Sequence, residues 1–259
     1  MLVSVPASSA NLGPGFDTLA VALPKRLTVE VVESKRFELC SLNQGSEKKY
    51  TETELENHIV ARVLQKVCGH TNFKVTVDSQ IPLARGLGSS AALILGVAKA
   101  AGSSDPLGVA AEIEGHADNV AAAYFGGLIA VEYSHQTVNM TKLAIDPRLQ
   151  FLLFIPEVEL STKMARDVLP SSYSRQVVAE SLGRLAMMMT GLSDIDKFSS
   201  VAFGDLIHQP YRAKLFVEAQ FVMDSMVDSG AIGAVVIRSV SQPKLKDTPT
   251  MLQRHILEA

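Results

Sequence analysis

Three stretches of the chain concentrate residues that could do chemistry. The first is Pro82-Leu83-Ala84-Arg85-Gly86-Leu87-Gly88-Ser89-Ser90-Ala91-Ala92. Gly86 and Gly88 allow sharp turns and close approach of the backbone to a ligand. The loop runs straight into an Ala-rich segment that reads as a helix. The first N–H groups of a helix lack internal partners and sit at the positive end of its dipole. Such an end suits a nucleotide phosphate. Ser89 and Ser90 can cap the helix, bind phosphate or ligate magnesium. The same residues also read as an ordinary glycine loop with a serine cap. The loop is neither a Walker A element, since Gly-Lys-Ser/Thr is missing, nor a dinucleotide fingerprint, since the GxGxxG spacing fails.

The second stretch is Pro6-Ala7-Ser8-Ser9-Ala10-Asn11-Leu12-Gly13-Pro14-Gly15-Phe16-Asp17, where Asn11 and Asp17 have the strongest polar reach. A glycine/proline turn closed by an Asx hydrogen bond reads equally well. The third is Glu112-Ile113-Glu114-Gly115-His116-Ala117-Asp118-Asn119-Val120. Two carboxylates, a histidine, an aspartate and an asparagine precede a long apolar run. Polar groups so placed need partners, unless the segment is an exposed cap.

The elements that must position these groups follow from pattern. Residues 2–5 and 27–32 read as strands, with 36–41 as their antiparallel neighbour. Residues 43–49 read as a loop. Residues 52–68 predict one amphipathic helix, with Leu55, Ile59, Val63, Leu64 and Val67 on one face. Residues 72–78 alternate as a half-buried strand. Residues 89–101 predict a helix ended by Gly102, and Asp105-Pro106 starts another. After Gly126-Gly127, residues 128–133 predict a strand. Ile145-Asp146-Pro147-Arg148 marks a domain boundary. Beyond it the pattern predicts strands at 149–155 and 231–237. Helices are predicted at about 161–168, 174–190, 194–208 and 215–228. The class is α+β in two domains, 1–147 and 148–259.

Composition narrows the function. The 259 residues carry 24 basic and 27 acidic side chains, a formal net charge of −3, so no basic surface is indicated for nucleic acid. Tryptophan is absent and aromatics are 6%, which disfavours base-stacking platforms. Cys40 and Cys68 are too few for a disulfide scaffold and have no zinc spacing. The start lacks a basic region followed by an apolar one, and the longest charge-free apolar stretch, 120–131, is short of the ~18 residues a membrane span needs. The expectation is a cytoplasmic protein acting on a small molecule, with no nucleic-acid or membrane partner.

Taken together, the motifs resemble those of the GHMP small-molecule kinases, and among them the homoserine kinases. Pro6 to Asp17 is similar to the first family motif, and Pro82 to Ala92 to the phosphate loop. Glu114-Gly115-His116-Ala117-Asp118-Asn119-Val120 is similar to an EGHxDNV element. Ser161-Thr162-Lys163-Met164-Ala165-Arg166 is similar to a STKxAR stretch, and Leu206-Ile207-His208-Gln209-Pro210-Tyr211-Arg212 to a LHQPYR stretch.

The resemblance covers about residues 1–236, with the motifs in order. It implies a GHMP kinase fold: a ribosomal-S5-domain-2-like N-terminal domain binding ATP, a ferredoxin-like C-terminal domain, and a site in the cleft between them. It implies ATP-dependent phosphorylation of L-homoserine in threonine biosynthesis, with ATP and Mg2+ as cofactors and a homodimer as the assembly. Pro82, Leu83, Ala84, Arg85, Gly86, Leu87, Gly88, Ser89, Ser90, Ala91 and Ala92 would bind ATP. Ser90 and Glu114 would hold magnesium, with Glu112 as the competing carboxylate. Asn11, Asp17, His116, Arg166 and Arg212 would bind homoserine. Asp17 suits an α-amino group, and the two guanidinium forks suit an α-carboxylate. Asn119 and Thr162 would orient the hydroxyl; Asp118 is given no role. Another GHMP kinase, or an inactive ligand-binding remnant, remains the alternative.

The resemblance ends near residue 236. The family carries a third motif, SGSGP, where this chain reads Ile237-Arg238-Ser239-Val240-Ser241-Gln242-Pro243. The expectation is an incomplete C-terminal domain, atypical from about 237, with a poorly packed tail and an exposed apolar patch near Val235.

Overall fold

In the computed structural model, β1 (Leu2–Ala10) and β2 (Leu19–Glu33) run antiparallel over almost their whole length. The structure describes residues 1–43, 45–48, 50–155, 162–215 and 218–236; the side chains of 52 and 162–164 are also outside it. The β1–β2 register jumps between Pro6 and Ala7, leaving Pro24 and Lys25 of β2 without partners. Proline, which has no N–H to give the ladder, is at home in such a bulge.

The other edge of β2 is divided. Its residues 27–33 pair antiparallel with β5 (Phe73–Ser79), and its residues 19–21 pair antiparallel with β6 (Leu128–Ser134). β3 (Glu38–Asn43) lies outside β5 and pairs with it in parallel, not antiparallel to the first strands as expected. A parallel neighbour needs a long crossover, supplied here by the segment that carries β4 and two helices. β4 (Ser46–Lys48) forms inside the stretch read as a loop and pairs antiparallel with β3.

The predicted helix over 52–68 is two helices, α1 (Glu52–Glu56) and α2 (Ile59–Cys68). Thr51 and Glu54 close a capping box on α1. His58 leaves the helical conformation, and its Nδ1 accepts from Val60 N–H at 3.3 Å, capping α2. The apolar period runs through the break, which is why periodicity alone does not reveal it.

Three helices cover the motifs of this first unit: α3 (Ser89–Ala100), α4 (Pro106–Glu114) and α5 (Asp118–Phe125). α3 packs so close to the sheet that a Cβ on Gly96 would lie 2.9 Å from Val29 Cγ2. α5 packs through Ala117, Ala121 and Ala122 against Ala10, Ala20, Ile129 and Val131. Small residues bring these helix axes near the sheet, and burial of the cluster supplies the hydrophobic stabilisation. β7 (Thr137–Leu143), unexpected from the sequence, completes the seven-stranded sheet beside β6. His135 and Gln136 connect the two with φ of 48° and 60°. That is a primed two-residue turn, here without the glycine or asparagine that signals one.

The chain divides into two compact units. The first holds Met1–Ala10, Asp17–Leu83 and Leu87–Lys142. The second holds Asn11–Phe16, Ala84–Gly86 and the chain from Leu143. Its described helices are α6 (Thr162–Asp167), α7 (Arg175–Ser193), α8 (Gln209–Arg212) and α9 (Ala219–Asp228). The expected helix over 194–208 is instead two 3-10 turns, Ile195–Lys197 and Ser200–Phe203, followed by a bend. Asp146 anchors the first turn. Its carboxylate accepts from Arg148 Nη2 at 2.7 Å and from Ile195 N–H at 2.9 Å. The Arg148 guanidinium and these backbone donors hold it well below the usual carboxylate range.

The strands expected at 149–155 and 231–237 do not form within the described residues. An apolar run becomes a strand only against a partner. Val236 is buried and donates its N–H to Gln209 Oε1 at 2.6 Å, while Val235 is partly buried; among the described residues there, the exposed large apolar side chain is Ile232. The expectations for the tail from 237 lie outside the described residues. No helix among the described residues is long and apolar enough to cross a membrane.

Candidate functional site

The phosphate-loop candidate turns through three left-handed residues, Ala84 (φ 54°), Gly86 (φ 75°) and Gly88 (φ 65°). Buried Leu87 pins it, its carbonyl accepting from Ser8 N–H at 3.2 Å. Gly88 is the N-cap of α3 and supplies no side-chain cap. The first intrahelical bond runs from Ala92 N–H to the Gly88 carbonyl at 2.8 Å. The N–H groups of Ser89, Ser90 and Ala91 lie ahead of it, at the dipole's positive end. Ser90 is exposed and Ser89 partly so, whereas Ala91 and Ala92 are buried and seat the helix in the core. Pro82, Arg85 and Gly86 are partly exposed and Leu83 is exposed.

Gly88 also has no room for a side chain. A Cβ there would collide with the Ser8 hydroxyl and lie 3.0 Å from Asn119 Oδ1. Ser8 Oγ donates to Asn119 Oδ1 at 3.0 Å. Asn119 in turn gives its backbone N–H to Asp118 Oδ1 at 2.6 Å. That oxygen lies 2.8 Å from His116 Nδ1, and His116 Nε2 lies 3.5 Å from Glu114 Oε2. A continuous polar chain thus runs Glu114, His116, Asp118, Asn119, Ser8 to the mouth of the glycine loop.

Local structure explains this order. α4 ends at Gly115 in the left-handed conformation (φ 77°), and α5 restarts at Asp118. The break puts Glu114, His116 and Asp118 beside one another. Glu112, two residues earlier and so on a different side of α4, pairs with Lys66 at 2.7 Å. Of the two competing carboxylates, Glu114 is the one joined to the motif. Among the described residues, no three His, Cys, Asp or Glu side chains form a preformed metal cage. A magnesium site of one hydroxyl and one carboxylate would not make one, because this ion keeps waters and takes phosphate oxygens.

The second unit gathers a different set. The Arg166 and Arg212 carbons Cζ lie 5.6 and 5.2 Å from the Phe16 ring centroid, a cation–π pair on one ring. Arg212 is buried, and its Nε donates to the Ala165 carbonyl at 3.1 Å. Phe16 closes a turn that starts at Asn11 (φ 62°), passes Gly13 (φ 54°) and has Gly15 N–H donating to the Leu12 carbonyl at 3.1 Å. Asp17, next in sequence, takes φ 51° and falls in the first unit. Asparagine and aspartate tolerate this region better than most side chains. Asn11 and Asp17 are partly exposed. Thr162 begins α6, and its side chain is outside the described set.

Sequence reasoning missed Ser8, Phe16, Asp205 and His208. Ser8 and Phe16 stand inside the first motif, but small hydroxyls and lone aromatics carry no chemical signal there. His208 stands in the same stretch as Arg212, four residues before it, and that spacing was the available sign.

A model of the GHMP kinases N terminal domain matches residues 56–127. The chain is 37% identical over 228 residues to homoserine kinase of Streptococcus thermophilus, covering 84% of this chain and 78% of that protein. To homoserine kinase of Clostridium kluyveri it is 32% identical over 251 residues, 92% of this chain and 83% of that protein. The solved homoserine kinase of Cytophaga hutchinsonii superposes with a TM-score of 0.73 at 26% identity, over 90% of this chain and 80% of that one. The mevalonate kinase of Methanococcus jannaschii superposes with a TM-score of 0.62 at 14% identity, over 93% and 87%, a likeness of fold alone.

Proposed function

Because the chain belongs to the homoserine kinases of the GHMP kinase family, we propose that it phosphorylates the side-chain hydroxyl of L-homoserine with ATP, giving O-phospho-L-homoserine and ADP in threonine biosynthesis. The observation that carries the acceptor assignment is the Arg166/Arg212 pair on Phe16. Two forks held on one ring match an α-carboxylate better than a neutral sugar. Asp17 takes the α-amino group, with Asn11 and His116 completing the acceptor site.

The glycine loop fits a nucleotide phosphate: the space at Gly88 excludes any side chain, and the leading N–H groups of α3 are at its rim. Pro82 to Ala92 bind ATP on this reading. Ser90 and Glu114 offer a hydroxyl and a carboxylate, oxygen donors suited to magnesium. Bound ATP supplies the phosphoryl group, and Mg2+ offsets its charge. The protein's share is positioning and electrostatic stabilisation. The N-terminus of α3 orients the phosphates. Asn119, held by Ser8, and Thr162 orient the acceptor hydroxyl. Asp118 already accepts from Asn119 and lies against His116, so it stabilises that chain and is assigned no proton transfer. The reading also carries a cytoplasmic location and a homodimer.

The test is ADP release against a panel of acceptors: L-homoserine, mevalonate and galactose, with Mg2+ present. Homoserine-dependent turnover at an ordinary kinase rate supports the reading. Preference for another acceptor, or no acceptor-dependent turnover, refutes it.

A further inference from the structure

His208 has its ring fully buried and makes two ring contacts of opposite demand. Its Nε2 lies 2.8 Å from the Gly13 carbonyl, which can only accept, so Nε2 carries the proton. Its Nδ1 lies 3.3 Å from Arg212 Nη1, which can only donate, so Nδ1 must offer a lone pair. The two contacts together admit one form of the ring, the neutral Nε2–H tautomer. The surroundings agree. Asp205 Oδ2 is 3.6 Å from Nε2 and is already occupied by the backbone N–H of His208 and Gln209. The Phe16 ring lies 5.5 Å from the His208 ring, tilted by 31°. Arg166, from α6, reaches the same Phe16 ring.

We propose that His208 is a positioning residue for acceptor recognition: locked as the Nε2–H tautomer by the Gly13 carbonyl, it holds Arg212 by Nδ1 and sets the plane in which the guanidinium reads a carboxylate. The proposal rests on the acceptor reading given above. Ala165 fixes Arg212 at Nε and His208 fixes it at Nη1. Two bonds from different groups define a plane, where one would leave the fork free to swing about it. The glycine turn that carries Phe16 thus acts on the arginine twice, through its ring and through Gly13.

Two isosteric variants separate the ring's two bonds. In His208→Gln the amide nitrogen replaces Nε2 and nothing replaces Nδ1; in His208→Asn the amide oxygen replaces Nδ1. Loss of a hydrogen bond to a charged group raises the homoserine KM of His208→Gln at least about tenfold. Its ATP KM and kcat stay near the unsubstituted values, and His208→Asn recovers most of the homoserine KM. The unsubstituted enzyme prefers L-homoserine over 3-aminopropan-1-ol, which lacks the carboxylate, and His208→Gln narrows that preference. Full preference in His208→Gln overturns the proposal and leaves the acceptor reading standing. No preference in the unsubstituted enzyme overturns the acceptor reading itself. Independently of whether either variant folds, nitrogen NMR of the unsubstituted protein must show protonated Nε2 and bare Nδ1 for His208; a proton on Nδ1 overturns the proposal.

Discussion

The space that a side chain on Gly88 would need is held by the hydroxyl of Ser8, which donates at 3.0 Å to Asn119. One hydroxyl therefore occupies the space beside the glycine loop and ties β1 to α5. Gly88 meets two demands at once, φ of 65° and no Cβ.

Gly88→Val tests the cradle. The branched side chain must push Ser8 or the loop aside, and ATP affinity falls by at least about tenfold, 1.4 kcal/mol, with the first unit still folded by circular dichroism. Gly88→Ala paired with Ser8→Gly removes the collision with the hydroxyl and leaves tight approaches to Asn119 Oδ1 at 3.0 Å and to the backbone carbonyl of residue 8 at 3.1 Å, besides the left-handed strain of about 1–2 kcal/mol, so it recovers only part of the affinity. Calorimetry showing unchanged ATP binding in Gly88→Val would remove the phosphate-loop assignment.

Arg212→Lys keeps the charge and loses the fork. A charge-assisted hydrogen bond is worth about 1.5–3 kcal/mol, so the homoserine KM rises at least about tenfold while the ATP KM barely moves. Phe16→Leu acts in the same direction by removing the ring under both guanidinium groups. If the ATP and homoserine constants rise together, the acceptor assignment is wrong.

Glu114→Gln and Glu112→Gln separate the two candidate carboxylates. Glu112 belongs to a solvent-exposed pair with Lys66, and such pairs contribute about 0–1 kcal/mol. Glu112→Gln leaves magnesium dependence as it was. Glu114→Gln raises the magnesium concentration for half-maximal turnover severalfold. Equal magnesium titrations for the two variants would contradict this.

His58 makes the cap of α2 sensitive to pH. Burial, then the neighbouring Lys48, pushes its pKa below the ordinary value, against the opposing pull of Glu54. The neutral ring is the capping form, because Nδ1 accepts from Val60. A folded-state pKa lower than the unfolded one means stability that is complete above about pH 6.5 and falls as the pH drops below it. A cap is worth about 1 kcal/mol, or roughly 2–4 °C in a chain of this size. His58→Asn, which caps without titrating there, should lose less of its melting temperature between pH 7.5 and 5.5. Equal losses would show that His58 is not the titrating group.

The pieces of the candidate site stand out in the sequence because they are local, while the roles proposed for them come from the resemblance to the GHMP kinases. A glycine loop before an Ala-rich helix, an acid-histidine-acid run and arginines inside short motifs are patterns of neighbours in sequence. Capped helices such as α4, with Asp105 and Pro106 at its start and Gly115 at its end, are equally local. What the tertiary structure alone decided depends on residues far apart. β3 is parallel because β5 arrives beside it after a helical crossover. The runs at 149–155 and 231–236 form no strand among the described residues, because propensity does not provide a neighbour. Phe16 and His208 acquire meaning only when a turn near the N-terminus meets α8, 195 residues from Gly13 to His208. Hydrogen bonds and ring contacts at that separation leave no period or spacing to read. Each residue is chemically ordinary alone, and its role comes from the partner that folding brings to it.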